Sequence, residues 1–228
     1  MDNRINANSF TPSSEFYESE FEKILTGITA CYKMMLMDNI KLPNNENKIR
    51  DILRKDYLNN REIKDILGFT GKYHFDREVP EDNDIGRVDI RIITENILTE
   101  PKAYYTIECK RLDNKKLTRK SCLNAKYVTE GIKRFIDIKY STYYSINGMI
   151  GFVVEQMDIY ANIKNINKWL NDNFLDENPV PCLKHLNFIE DFEYQYYSIH
   201  KDIKNKEIKL YHLMFDFSAN IIEEKASS

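Results

Sequence analysis

The sequence predicts a mixed α/β domain, and three observations carry that expectation. Apolar residues recur at three- and four-residue steps up to Leu67, the period falls to two between Lys72 and Leu112, and helical and strand-like stretches then alternate as far as Phe217.

The first helix is expected from Glu15 to about Met37, with Phe16, Phe21, Ile24, Leu25, Ile28, Tyr32 and Met35 on one stripe. Pro43 and the two asparagines after it end that unit. A second helix follows from Glu46 to Asn59, with Asn45 as N-cap and Ile49, Ile52, Leu53 and Tyr57 on its buried face. A short third, Arg61 to Leu67, closes at Gly68. Strands are expected over Lys72–Val79, Arg87–Thr94 and Ala103–Leu112, joined by turns at Pro80, Asp82–Gly86 and Pro101, as a meander. A helix from Leu123 to Tyr140, a strand from Met149 to Val154 and a polar helix from Asp158 to about Asn173 come next. Two aromatic-rich strands, Phe192–His200 and Glu207–Phe217, complete the domain. The expected division is a helical extension over 1–43, the main domain over 44–217 and a disordered tail over 218–228.

Composition narrows the function classes. No apolar run approaches the ~20 residues that span a bilayer, so no membrane partner is expected. The first 14 residues carry no secretory pattern, which sets a cytoplasmic location as the expectation. Cys31, Cys109, Cys122 and Cys182 lack the close pairs of a zinc site and read as free thiols. His74, His185, His200 and His212 are equally dispersed. A net charge of −3 argues against a nucleic-acid partner until its distribution is considered. From Lys102 to Lys139 there are 11 Lys and Arg against 4 Asp and Glu, a surplus of 7, which leaves −10 for the remainder.

That basic window carries the chemistry. On the second strand Val88, Ile90 and Ile92 are expected on one face and Asp89 on the other. On the third, Tyr105, Ile107 and Cys109 form the apolar face, and Thr106, Glu108 and Lys110 the opposite one. If the strands pair, Asp89 joins Glu108 and Lys110 on one surface. Two close carboxylates repel unless a hard cation sits between them, and a neighbouring lysine can orient or deprotonate water and stabilise charge on a phosphoryl oxygen.

At Gly86-Arg87-Val88-Asp89-Ile90 and Ile107-Glu108-Cys109-Lys110-Arg111-Leu112 the sequence resembles the PD-(D/E)xK nuclease superfamily. The resemblance covers roughly residues 46–155, with Val88 where many members have proline. It implies a restriction-endonuclease-like core of helix, three-strand meander, helix and strand, here with an added N-terminal helix and C-terminal strands. It further implies Mg2+, replaceable by Mn2+, held by Asp89, Glu108 and the Cys109 carbonyl, with Lys110 beside the attacking water. Glu46 stands where many members place an additional acidic residue. Arg111, Lys126, Lys133 and Arg134 become candidate nucleic-acid contacts, on or near the helix that borders the groove in such enzymes.

Several alternatives stay open at this point. Asp89 lies between Arg87 and Arg91, and Glu108 lies near Lys110, so cross-strand ion pairs on a solvated sheet face would account for the same letters. Glu46 is also what a helix dipole favours in a first turn. Arg134 can be a solvated surface residue, and Tyr127 and Phe135 read as core. The implied activity is metal-dependent hydrolysis of DNA in restriction, repair or phage defence. The competing functions are a catalytically silent binding module on the same fold and a partner- or ligand-gated nuclease for RNA. A double-strand cut implies a homodimer, for which the first helix offers a candidate contact, and the competing and favoured reading of its stripe is packing against its own domain.

Overall fold

The computed structural model describes residues 14–77, 88–98, 100–117, 119–140, 143–174 and 180–222. Helix α1 (Ser14–Met37) leads into a two-residue strand, β1 (Leu42–Pro43), then α2 (Glu46–Ile52) and α3 (Arg61–Ile66). After Ile52 the backbone widens to a π-helical turn over Leu53–Leu58. Strands β2 (His74–Arg77), β3 (Ile90–Ile93) and β4 (Tyr104–Leu112) follow, then α4 (Leu123–Lys126), a second π-helical turn over Tyr127–Ile132, and α5 (Lys133–Ile136). The remaining elements are β5 (Ile146–Val153), α6 (Ile159–Asn173), β6 (Lys184–His185), β7 (Gln195–Lys201), β8 (Glu207–Asp216) and β9 (Ile221–Ile222).

Local chemistry explains the helix starts. Asn45 accepts from Lys48 N at 3.1 Å, Asn60 from Glu62 N at 3.0 Å and Asp158 from Ala161 N at 3.0 Å, each satisfying an amide that has no intrahelical partner. Gly68, at φ +66°, supplies the left-handed residue after α3.

A mostly antiparallel seven-stranded sheet runs in the order β2-β3-β4-β5-β8-β7-β6, with β5 parallel to both β4 and β8. The expected meander is present: β2 pairs antiparallel with β3, and β3 with β4. β5 is buried along its whole length because both edges are paired and both faces are covered. Alternate residues along the central strands divide between two apolar clusters. Cys109, Ile150, Phe152, Leu213 and Phe215 face α1 and α2, whereas Leu112, Met149, Val153 and Met214 face Tyr127, Ile132, Phe135, Ile163 and Ile166.

The stripe of α1 is spent inside this chain. Phe21, Ile24, Leu25, Ile28, Tyr32 and Met35 are buried in the first cluster, where Phe21 stacks on Tyr105 at 4.8 Å and Tyr32 on Phe215 at 4.3 Å. At ~1.5–3 kcal/mol per large apolar side chain, α1 is a principal wall of the core. Its polar side adds hydrogen bonds from Tyr105 to Glu20 and from Tyr211 to Glu18 and Glu22, each at 2.7 Å. The stripe therefore packs against its own domain, the favoured of the two expectations, and is not free for a two-fold contact.

Two further expectations change. β3 begins at Ile90, so the pleat has not started at Val88, which turns to the second cluster while Ile90 and Ile92 join the first. Ile221–Ile222, expected within a disordered tail, pairs parallel with Leu42–Pro43, and neither two-residue strand shows enough alternation to be read from sequence. The outer part of the first expected strand (Val79), Arg87 and Pro80 to Gly86 lie outside the described residues. Among the described residues no helix is long and apolar enough to cross a membrane, and all four cysteines are free thiols.

Two of the dispersed histidines meet in the second layer. Ser198 Oγ lies 2.7 Å from His200 Nε2 and 2.8 Å from His212 Nε2, and His212 Nδ1 lies 3.0 Å from the Tyr127 hydroxyl. Burial holds His200 down to about 3, and burial followed by the neighbouring His200 holds His212 well below the usual range. Both rings are neutral when folded and take up protons when unfolded. Their stabilising contribution is complete above the unfolded value of 6.5 and is lost as pH falls toward 3. Each ring contributes a slope of up to about 1.4 kcal/mol per pH unit. Urea titrations at pH 7 and pH 5 should show a smaller loss in His200→Gln than in the wild type, a comparison in which the groups common to both proteins cancel. Equal losses in the two proteins would remove His200 from the account.

Candidate active site

β4 outlasts its neighbour. The last β3–β4 pair is Ile90 with Ile107, while β4 continues beside β5 to Leu112. The amides of Cys109 and Arg111 therefore face an edge that β3 no longer covers, and buried amides require acceptors. Asp89 Oδ2 accepts from Cys109 N at 2.8 Å, and Glu46 Oε2 accepts from Arg111 N at 2.9 Å. Two carboxylates thus continue the ladder where a strand has stopped, which brings α2 and the residue before β3 onto one end of β4.

Glu108 lies beside them with no exposed surface. Its Oε1 accepts from Lys110 Nζ at 2.6 Å and Arg134 Nη1 at 2.9 Å, and its Oε2 accepts from the Tyr140 hydroxyl at 2.7 Å. Burial and the nearby Asp89 carboxylate push the Glu108 carboxyl up to about 7, against the pull of Lys110 and Arg134. Lys110 donates to Glu108, to the Cys109 carbonyl at 3.0 Å and to Glu46 Oε1 at 3.3 Å. Burial opposes its charge, but Glu108, Glu46 and Asp89 outweigh that and hold the ammonium above the ordinary lysine range.

Arg50, fully buried on α2, donates to Asp89 Oδ1 at 2.5 Å and to Asp51. Burial opposes this charge too, yet Asp89 raises the guanidinium above its usual range. The π-helical turn Tyr127–Ile132 packs under the same place. A Cβ on Gly131 would come within 2.6 Å of Met149 Cε, so glycine leaves room there for that methionine, and the Lys110 stem passes at ordinary contact distance.

The structure thus gathers Glu46, Asp89, Glu108 and Lys110. Among the proposed nucleic-acid contacts, Arg111 and Lys126 line a cleft of about 210 Å³ with Glu46, Lys110, Asn45 and Glu130. Arg111 also donates to Asn44 O at 2.9 Å and Asn44 Oδ1 at 2.6 Å. Lys133 lies apart, paired with Asp137 at 3.0 Å. Arg134 is turned inward onto Glu108 and Tyr140, and Tyr127 and Phe135 are core. Sequence reasoning missed Arg50 and Tyr140. Arg50 stands four residues after Glu46, one helical turn along the same face, and that spacing is a usable signal. Tyr140 has none, because it reaches Glu108 from beyond the end of α5.

The solvated ion-pair alternative changes form. Arg91 pairs with Asp76 at 2.7 Å, not with Asp89, and the Asp89–Glu108–Lys110 cluster is buried. Among the described residues no three His, Cys, Asp and Glu side chains are gathered to hold a metal ion. Asp89 commits one oxygen to Arg50 and the other to an amide, so the expected set is not ready-made. Two carboxylates and one carbonyl do converge on a single cation, Lys110 Nζ, and that oxygen set fits a hard divalent ion.

Removing one member of a buried pair strands the other, at a cost of about 3–5 kcal/mol. Arg50→Met should therefore destabilise strongly in urea, while Arg50→Met combined with Asp89→Asn should recover much of the loss. Additivity of the two single changes within about 0.5 kcal/mol would show that the pair is not coupled. In comparisons with known proteins, no family model, no curated protein and no solved structure matches this chain.

Proposed function

We propose that the chain is a cytoplasmic, metal-dependent nuclease that hydrolyses phosphodiester bonds of DNA. The observation that carries the proposal is the convergence of Glu46, Glu108, the Cys109 carbonyl and Lys110 at the end of β4, with Asp89 on the adjoining amide. The element order α2, β2-β3-β4 meander, α4–α5 and parallel β5 supports a restriction-endonuclease-like core. The flanking cleft, with Arg111 and Lys126 among its lining residues, is suited to a phosphate backbone.

In this proposal Glu46, Glu108 and the Cys109 carbonyl hold Mg2+ or Mn2+. Such an ion, when bound, stabilises charge on the scissile phosphate and acidifies an attacking water. Asp89 fixes the Cys109 amide and, with Arg50, anchors α2 to the sheet. Lys110 presents a positive charge to the phosphoryl oxygens. Arg134 and Tyr140 hold Glu108 in one orientation. A homodimer is proposed for double-strand cutting, through a surface other than the buried stripe of α1.

A specific observation favours a second reading. Every oxygen of Asp89 and Glu108 already has a cationic, amide or hydroxyl partner, which is also how a purely structural network would look in a silent binding module. Incubation with plasmid, single-stranded DNA and RNA, with Mg2+ or Mn2+ and with chelator, separates the two. DNA should be cut only with metal. Lys110→Ala should lose at least about a hundredfold in rate, and Glu46→Gln should lose less than Glu108→Gln. Cleavage in excess chelator, or an unchanged rate in Lys110→Ala, would refute the mechanism, and cleavage of RNA alone would reassign the substrate.

A further inference from the structure

The coordination of Lys110 resembles that of a metal ion more than that of a surface lysine. An ammonium has three N–H donors, and all three acceptors here are oxygens: Glu108 Oε1 at 2.6 Å, the Cys109 carbonyl at 3.0 Å and Glu46 Oε1 at 3.3 Å. The charge count is a second observation. The carboxylates Glu46, Asp89 and Glu108 are matched by the cations Arg50, Lys110 and Arg134, and the adjoining Asp51–Arg77 pair adds one charge of each sign. With every one of these groups charged the cluster is neutral. A divalent ion added with nothing displaced would leave a buried site with two uncompensated positive charges, which a low-dielectric interior disfavours.

We propose that Lys110 is a placeholder for the metal: its ammonium occupies the point where Glu46, Glu108 and the Cys109 carbonyl hold a divalent cation, so that ion and ammonium bind there in competition. The inference rests on the nuclease reading above and goes beyond it, because the lysine governs metal loading as well as the chemistry. The lysine has somewhere to go, since its side chain lines the cleft that also contains Glu130. Loading is then most favourable when a phosphate enters with the ion, because the anion offsets charge and gives the displaced ammonium a partner. The free protein holds metal weakly, and the substrate completes the site.

The test is calorimetric titration with Mg2+ and with Mn2+ alone, without nucleic acid, on the wild type and three variants. Lys110→Met should bind at least tenfold more tightly than the wild type. Arg134→Gln, which removes a charge from the same Glu108 oxygen without vacating the shared point, should gain much less. Lys110→Met combined with Glu108→Gln should lose the gain. Equal gains in Lys110→Met and Arg134→Gln, or unchanged or weaker affinity in Lys110→Met, would overturn the placeholder while leaving a metal site in place. Saturable binding in none of the four proteins would overturn the placeholder, while the cleavage assay with metal and with chelator decides the metal-dependent reading separately. Should Lys110→Met fail to fold, reductive methylation of the wild type read by mass spectrometry gives the same decision. Modification of Lys110 should speed up severalfold with saturating Mg2+, and an unchanged or slower rate overturns the proposal.

Discussion

A β-strand that runs beyond its partner leaves amides that must find acceptors, and the organisation of this protein follows from how β4 meets that demand. β3 stops at Ile90, and the amides of Cys109 and Arg111 turn to the carboxylates of Asp89 and Glu46. Those bonds tie α2 and the β3 entry to the sheet at one end. They also place negative charge beside Glu108, which the opposite face of β4 has already carried into the interior. Arg50, Lys110 and Arg134 answer that charge, so a gap in backbone pairing and a cluster of six ionisable groups are one structural problem with one solution.

How far the sequence disclosed this depends on the range of each signal. That Glu108 and Lys110 share a face was legible because the two-residue period fixes side-chain direction wherever a ladder exists, whereas Val88 and Asp89 both precede Ile90, where the ladder begins, and Asp89 meets β4 through the Cys109 amide. Asn45 and Glu46 were legible because capping is local chemistry. Arg50 was overlooked although its spacing from Glu46 was available, because a lone arginine on a helix carries no sign of burial. Tyr140 and the Ser198-linked histidines depend on how α5, β7 and β8 come together in space, which no local pattern encodes. The stripe of α1 was plain, but a stripe does not say which surface it meets, and here it is the chain's own sheet.

Both π-helical turns fall beside the cluster, one continuing α2 and the other continuing α4. Each inserts a wider turn without ending the helical run, which shifts the residues that follow relative to a regular helix. Arg134 comes just after the second turn and reaches Glu108, and Gly131 lies within it against the Lys110 stem. A regular helix over the same residues would present a different set to β4. Helical periodicity alone therefore located the helix but not the contacts it makes.

The pairing of Leu42–Pro43 with Ile221–Ile222 makes the site depend on a distant part of the chain. Leu42 N donates to Asn220 O at 3.0 Å, and Asn220 Nδ2 donates to Ile40 O at 3.0 Å, immediately ahead of the helix that carries Glu46 and Arg50. The strand that fastens the lead-in to α2 comes from far along the chain, so α1 and α2 cannot complete that fastening by themselves. Glu46 and Arg50 are therefore steadied by a contact of high sequence separation, and a change at Ile221 or Ile222 would reach the charge cluster through Leu42 and Asn45.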